Sequence, residues 1–220
     1  MMISPEAYYI SNLEGKSQQE IMKQIRSLKR EINRLKKSIE EVPVSGPVIY
    51  PTPLTRISCY RDYLSRAVRA YEDAGGKYEP TKAERRSLDF NQSLDSMEKL
   101  VFSIGGFFEG RETRTFTFLD EKTVLTIEHT MNSKLSNPPV YFSVSRKAFI
   151  NGLKRIHIGE WKRDYCDPDV MDGTQWELTF YFSDKHRNVE ISGSNAYPYN
   201  FDDLKYLLGI TEDDSEDDWR

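Results

Sequence analysis

The chain has 220 residues, of which 38% are hydrophobic and 30% are charged, and its formal net charge is −4. This length holds one ordinary core or a core with an appendage, and the polar composition favours a globular part plus an exposed helical or tail element. Cys59 and Cys166 lack metal-type and redox-type spacing, and neither a secretory signal nor an apolar run of roughly 18 residues is visible, so we expect a cytoplasmic protein.

The first predicted element is a helix over residues 17–42, marked by a seven-residue apolar repeat. Ser17 and Glu20 form a capping-box pattern at its start. Pro43 ends it, because the residue before a proline is pushed out of the helical region. The repeat alternates steps of four and three residues and forms one apolar seam: Ile21, Ile25, Leu28, Ile32, Leu35, Ile39 and Val42.

This seam allows two packing partners. Isoleucine at the a positions and leucine at the d positions favour a parallel dimer, across which Glu31 and Lys36 would attract each other. The repeat is short for a free-standing dimer, so packing on the chain's own second helix is the alternative. The pattern therefore predicts a coiled-coil-like helix and leaves open whether residues 21–42 form a homodimer or an intramolecular contact.

A proline-rich linker and a helical region follow. Four prolines between residues 43 and 56 favour an extended, semi-rigid spacer. Apolar residues then recur at helical spacing over residues 56–73, and Gly75 and Gly76 end this second helix. The capping-box pattern of Thr81 and Glu84 opens a third helix. The predicted helical region covers residues 57–98.

An α+β domain is predicted over residues 99–210, which makes the whole chain α+β. Stretches rich in β-branched and aromatic residues, separated by turn-like breaks, predict an antiparallel sheet of about five strands. The strands are expected at residues 100–108, 114–119, 123–129, 175–183 and 189–192. Two helices are expected at residues 146–156 and 200–208.

The last ten residues, 211–220, are strongly acidic. They hold six acids against one base, so their net charge is −5 and the first 210 residues sum to +1. Such a composition predicts a disordered tail. Solubility is its default role, and competition for a basic surface or mimicry of nucleic acid are the alternatives.

The basic outside of the first helix is the leading candidate site. Such a surface can neutralise phosphates, and it would bind nucleic acid by charge and not by reading bases. The alternative is an ordinary solvated exterior of a coiled coil. The residues expected to bind nucleic acid or a nucleoprotein are Lys23, Arg26, Lys29, Arg30, Arg34 and Lys37, next to Lys36.

Two weaker candidates involve acids and histidines. The carboxylates at Asp164, Asp167, Asp169 and Asp172 miss the spacing of an EF-hand loop, which favours a polar turn over a metal site. No nucleophile elbow, Gly-rich phosphate loop or zinc-protease motif is present, so we expect no cofactor and no metal. A metal-independent nuclease would leave little sequence trace, and its weak candidates are His157, Glu160 and Tyr165, with Arg163 nearby.

Aromatic residues are also clustered, and exposed aromatics on a sheet could stack on bases. We expect most of them to be core, because the sheet needs one buried face. The residues concerned are Phe107, Phe108, Trp161, Tyr165, Trp176, Tyr181, Tyr197 and Tyr199.

Several segments carry a resemblance to a known group of proteins. They are the Gly-Gly pair at 105–106, Trp161, the DGTQWEL segment at 172–178 and the SGSNAYP segment at 192–198. Over roughly residues 98–210 the chain resembles an uncharacterised domain of Gram-positive bacteria and their mobile elements. The resemblance implies an accessory protein of a plasmid, conjugative element or phage, and some such proteins are anti-CRISPR inhibitors of Cas9. It implies no set of catalytic residues.

The SGSNAYP segment also has a purely structural interpretation. Gly193 and Asn195 suit left-handed backbone positions in a tight turn between a strand and the last helix. A binding role is the alternative.

The basic helix and the resemblance together predict a non-enzymatic protein that binds and inhibits a nucleic-acid–protein complex through that helix. The resemblance implies that this complex is Cas9. The competing hypotheses are a ribonuclease acting on guide RNA and a dimeric coiled-coil scaffold. No membrane partner is expected.

Overall fold

The computed structural model describes residues 2–41, 50–106, 110–119, 122–130, 140–142, 145–170, 173–183 and 186–210. Half of the predicted linker (residues 43–49), Val42, Phe107, Phe108, Asp172 and the acidic tail therefore lie outside the described residues. The chain divides into two compact units, Met1–Pro80 and Thr81–Arg220. The first is helical and the second combines helices with a sheet, so the predicted α+β class is confirmed.

Three helices form the first unit. They are α1 (Pro5–Asn12), α2 (Gln18–Glu41) and α3 (Pro53–Asp73). The predicted capping box starts α2: the Ser17 amide donates to Glu20 Oε2 at 3.0 Å, and the Glu20 amide donates to Ser17 Oγ at 3.4 Å. Sequence analysis did not find α1, whose short length shows little periodicity; Ser4 caps it and proline occupies its first position.

The apolar seam of α2 is filled by the chain's own α3. Gln18 at the start of α2 donates to the Ala74 carbonyl at the end of α3 at 2.6 Å, so the two helices run antiparallel. Small residues on α3, Ala67 and Ala70, are buried in the same cluster and let the helices approach closely. The buried seam residues are Ile21, Ile25, Leu28, Ile32 and Leu35. Of the two packing alternatives, the structure has the intramolecular one, and a homodimer through residues 21–42 is not supported.

Tyrosines join α1 to this hairpin. The rings of Tyr8 and Tyr63 stack with their centroids 4.2 Å apart, and the Tyr63 hydroxyl accepts from the Ile3 amide at 3.1 Å. Because Tyr63 lies on α3, the contact holds the start of the chain against the helix pair.

The second unit begins with α4 (Lys82–Ser93), which carries the predicted Thr81–Glu84 capping box, and a 3₁₀ turn at Leu94–Ser96. The predicted boundary at 98/99 differs from the observed division, because α4 contacts the 3₁₀ turn Ile158–Glu160 of the second unit. Two more helices follow, α5 (Arg146–Ile156) and α6 (Phe201–Leu207). The strands are β1 (Met97–Gly106), β2 (Gly110–Leu119), β3 (Lys122–His129), β4 (Val140–Phe142), β5 (Asp164–Cys166), β6 (Gln175–Phe182) and β7 (Val189–Ser194).

In the described residues these strands form one sheet of seven in the order β4-β3-β2-β1-β6-β7-β5. The pairs are antiparallel except β5 with β7, which is parallel. The predicted count of about five was too low because β4 and β5 have three residues each, too few to show an alternating pattern. Both lie at the edges of the sheet.

One face of the sheet is covered by helices. Phe149 of α5 lies against Phe116, Phe201 of α6 against Phe102, and Phe90 of α4 against Phe180, with ring centroids 5.0 to 6.0 Å apart. On the other face the alternate residues of the long strands stay half-buried or exposed, apart from the buried Ser103. Among the helices that the structure describes, none combines the length and the apolar character needed to cross a membrane.

Arg114 is a buried cation inside this core face. Its guanidinium pairs with Glu112 and donates to the carbonyls of Leu208 at 2.9 Å and Gly209 at 2.7 Å, at the end of α6. The side chain thus satisfies carbonyls that the end of a helix leaves unpaired. The sequence around Arg114 reads as an ordinary strand and did not indicate this role.

Candidate functional site

The basic face of α2 comprises Lys23, Arg26, Lys29, Arg30, Arg34 and Lys37, and it lies opposite the seam. Seam residues occupy heptad positions a and d, whereas these cations fall at b, c, e and f. All are exposed except Lys29, which is half-buried. From Lys23 to Lys37 the face extends over about 21 Å of helix, given a rise of about 1.5 Å per residue. Packing of the seam therefore directs the cations outward.

The two ends of this face differ in ion pairing. Arg34 donates to Glu31 at 2.7 Å and Lys37 lies 3.6 Å from Glu41, both pairs within α2. The hydrogen bond that Arg34 donates to Glu31 raises the pKa of Arg34 above its ordinary value. Lys23, Arg26 and Arg30, at the other end, form no salt bridge within the part of the chain that the structure describes. Lys23, Arg26 and Arg30 thus present exposed charges that no salt bridge of the described residues neutralises.

Lys29 has a different role from its neighbours. Its ammonium group hydrogen-bonds the Tyr78 hydroxyl and lies 5.0 Å from the centroid of that ring. The contact links α2 to the segment after α3 and partly withdraws the charge from solvent. Lys23, Arg26, Lys29 and Arg30 line one open groove on the helix surface.

The described part of the acidic segment begins in β5, which contains Asp164, and continues as a polar turn. The Asp167 carboxylate accepts from the Asp169 amide at 3.1 Å, and the Asp164 carboxylate accepts from the Ser192 hydroxyl at 3.1 Å. Within the described residues, no three His, Cys, Asp or Glu side chains come together as a metal site. The carboxylates of Asp164 and Asp167 thus accept hydrogen bonds that stabilise the local fold.

The weak catalytic candidates separate into a half-buried pair and a core residue. His157 ends α5 in a left-handed conformation, and its Nδ1 lies 3.9 Å from Glu160 Oε1. The Tyr165 ring is buried beside Trp176, and its hydroxyl accepts from the Lys162 amide at 3.0 Å. Arg163 donates to the Glu190 carbonyl at 3.3 Å, and burial lowers its pKa, as does the charge of Arg86. Only His157 and Glu160 keep a geometry that acid–base chemistry could use.

Most of the described aromatic candidates belong to the core, as expected. Trp161, Tyr165, Trp176 and Tyr199 are buried. Tyr181 and Tyr197 are half-buried, with the Lys99 ammonium 4.1 Å from the Tyr181 ring and Phe201 4.9 Å from the Tyr197 ring. These residues therefore do not form a row of exposed rings on which bases could stack.

The two segments that carry the resemblance pack against each other. Trp176 donates through Nε1 to the Ala196 carbonyl at 3.0 Å, and Asn195 donates to the Val170 carbonyl at 3.1 Å. Asn195 has the predicted left-handed conformation, with φ of 56°. The same expectation for Gly193 was wrong: its φ is not positive, and glycine is required because a Cβ would lie 2.2 Å from Trp176 Nε1. These contacts show that the segment forms the structural connection between β7 and α6.

Asn200 extends this junction into the core. Its side chain accepts from Trp161 Nε1 at 3.0 Å and donates to the Ile156 carbonyl at 2.7 Å. It therefore ties the start of α6 to the end of α5.

Comparison with known proteins identifies no relative. The chain matches no protein-family model, no curated protein and no solved structure. The resemblance over roughly residues 98–210 accordingly stays a prediction.

Proposed function

We propose that this chain is an accessory protein that binds a nucleic-acid–protein complex through the basic face of α2. The observation that carries the proposal is the group of three exposed cations, Lys23, Arg26 and Arg30, without salt bridges in the described residues. Exposed cations that form no salt bridge can release counterions when they contact phosphates, which is the main source of affinity in charge-driven binding.

The packing of the helix supports this use of the surface. In a parallel dimer, the seam of α2 would pack against the seam of a second copy, and the basic face would lie beside the basic face of that copy. With α3 in the seam, one rigid helix presents the cations about one turn apart, and little side-chain or backbone order has to be created on binding.

The finer proposal is that the complex is Cas9 with its guide RNA and that binding inhibits it in the cytoplasm. This rests on the resemblance of residues 98–210 and on the chemistry of the target, since a guide–effector complex displays RNA phosphates. The basic face would supply affinity and the second unit would supply contacts to the effector protein.

The test of the coarser proposal is charge reversal. Replacing Lys23, Arg26, Arg30 and Lys37 by glutamate should weaken binding of fluorescein-labelled single-stranded RNA at least tenfold. It should also reduce the slope of log affinity against log salt by about 3, given roughly 0.7 per lost phosphate contact. Fluorescence anisotropy from 50 to 300 mM salt measures both.

The matched control reverses four exposed cations elsewhere, Arg69, Lys82, Arg155 and Arg187. It changes net charge equally, so an equal loss in both variants would mean that net charge, and not the basic face, drives binding. An unchanged slope in the first variant would overturn the proposal.

The finer proposal is tested with Cas9 assembled on guide RNA and a target duplex. The wild-type chain should lower the cleavage rate and the four-glutamate variant should not. Guide RNA recovered from the mixture should be intact with and without a chelator. If discrete RNA products form with the wild-type chain and are absent with a His157→Ala variant, the chain is a ribonuclease and the inhibition proposal is wrong.

A further inference from the structure

We propose that a groove along the first two turns of α5 binds the phosphate group of a small phosphorylated ligand. The groove has a volume of about 620 Å³, which is within the usual range for small-molecule sites. It lies in the second unit, is separate from the basic face of α2, and does not rest on the function proposed above. Its lining residues are Asp95, Ser145, Arg146, Lys147, Ile150, Asn151 and Lys154.

Arg146 is held in place without being neutralised. Its Nη2 donates to the carbonyls of Asp95 at 2.7 Å and Met97 at 3.1 Å, which fix the guanidinium but carry no net charge. Its Nε is enclosed and has no hydrogen-bond partner among the described residues. No carboxylate pairs with this guanidinium in these contacts, and a positioned guanidinium that keeps its charge is suited to an anion.

The charges around Arg146 leave the groove positive. The carboxylate of Asp95 is already paired with Lys154 Nζ at 2.7 Å. Lys147 forms no salt bridge within the described part of the chain. The three cations and one carboxylate of the lining therefore give a formal charge of +2. This matches a phosphate monoester, which carries close to two negative charges near pH 7.

Arg146 and Lys147 lie in the first turn of α5, at the positive end of the helix dipole. The first turn of α5 contains basic residues and no acid, although the positive end of a helix dipole favours acids there. Two cations at that end destabilise the empty helix slightly, and a bound anion would reverse the effect. The Ser145 hydroxyl accepts from the Ala148 amide at 3.2 Å, so its own hydrogen is left to donate.

The remaining lining sets the character of the ligand. Ile150 contributes an apolar wall and Asn151 an amide that both donates and accepts. The volume exceeds that of a phosphate ion, so the groove has room for the body of a phosphorylated ligand. Sequence analysis did not single out this cluster, although the pair of basic residues at the start of the predicted helix 146–156 was its visible signal.

The test is a titration of the full chain by ¹⁵N NMR at constant ionic strength, with inorganic phosphate, AMP and succinate as separate probes. Phosphate and AMP should shift the amide signals of Lys147 and Asn151 and the Nε–H signal of Arg146 in a saturable way, with AMP binding more tightly. Lys147→Ala should weaken AMP affinity about fivefold, as expected for loss of one partly exposed charge contact. Arg155→Ala, on the same helix but outside the groove, should leave it unchanged.

Several outcomes would overturn the proposal. They are linear shifts without saturation, equal responses to succinate and phosphate, and equal effects of the Lys147 and Arg155 substitutions. The four-glutamate variant of α2 should retain the phosphate response, so failure of nucleic-acid binding and failure of this site are distinguishable.

Discussion

Gly193 and Asn195 show how two residues of one turn meet different physical requirements. Sequence analysis assigned both to left-handed backbone positions, and only Asn195 has one. Gly193 is needed because the Trp176 indole occupies the space that a side chain would fill. A local sequence pattern can indicate backbone conformation, but it cannot reveal which distant side chain will lie against a glycine.

Replacing Gly193 by alanine should therefore destabilise the second unit by about 1 to 3 kcal/mol, the usual cost of overpacking a core. The added Cβ must displace Trp176 and strain its hydrogen bond to Ala196. Urea unfolding followed by tryptophan fluorescence measures the change. Ser194→Ala, at the next and half-buried position, is the control and should change stability by less than about 0.5 kcal/mol.

Glu20 links the stability of α2 to pH. Hydrogen bonds from the Ser17 amide and then the Ser17 hydroxyl lower the pKa of Glu20 below its ordinary value of 4.5. A carboxyl whose pKa is lower in the folded state stabilises the fold above its unfolded pKa, and this stabilisation is lost as pH falls through the folded value. The first unit should therefore lose stability through this group below about pH 4.5.

Glu20→Gln checks this expectation, because glutamine keeps a capping oxygen but does not titrate in this range. The wild-type chain should melt above the variant at pH 6, and the difference should shrink steadily towards pH 3. Melting followed by circular dichroism at 222 nm measures it. A difference that stays constant over this range would mean that the Ser17 hydrogen bonds do not favour the ionised carboxylate.

At the scale of elements, periodicity predicted α2 well and its packing partner poorly. The expected bounds, residues 17–42, agree with Gln18–Glu41 because both the repeat and the capping box are local signals. An a/d pattern specifies only that one narrow face is apolar. The small side chains of Ala67 and Ala70 allow α2 to pack closely on α3. Because alanine is only weakly hydrophobic, these positions do not stand out in the apolar pattern of the sequence.

The sheet shows the same division between local and long-range information. The alternation of β6 predicted its buried face, with Trp176, Leu178 and Phe180 inward. The register that places Phe102 beside Leu178 depends on residues 76 positions apart, which no local pattern specifies. The residues of the basic face could be predicted from charge alone. Which of them form salt bridges depends on the ion pairs with Glu31 and Glu41, which only the structure shows.

Filling of the seam by α3 predicts that stability will not depend on protein concentration. The melting temperature should stay constant between about 1 and 100 μM, whereas a dimer through the seam would melt higher as concentration rises. Ile25→Ala should cost about 2 to 4 kcal/mol at every concentration, because the side chain is 1% exposed. Arg26→Ala is the control on the exposed side of α2. A melting temperature that climbs with concentration would restore the dimer.

The whole molecule separates its two proposed binding surfaces between two units. The basic face belongs to Met1–Pro80 and the α5 groove to Thr81–Arg220. Each unit has a core of its own, built from the α2–α3 pair in the first and the helix-covered sheet in the second. Compact units with separate cores are expected to fold independently.

Cutting the chain between Pro80 and Thr81 should therefore give two folded fragments. Residues 1–80 should have a helical circular-dichroism spectrum and bind single-stranded RNA with the salt slope of the intact chain, because every residue of the basic face lies in α2. Residues 81–220 should keep the phosphate response and bind RNA far more weakly. The four-glutamate version of the first fragment, which should fold but not bind, is the control. If fragment 1–80 folds and fails to bind RNA that the intact chain binds, the affinity must come from the second unit, and the basic face is only a solvated exterior.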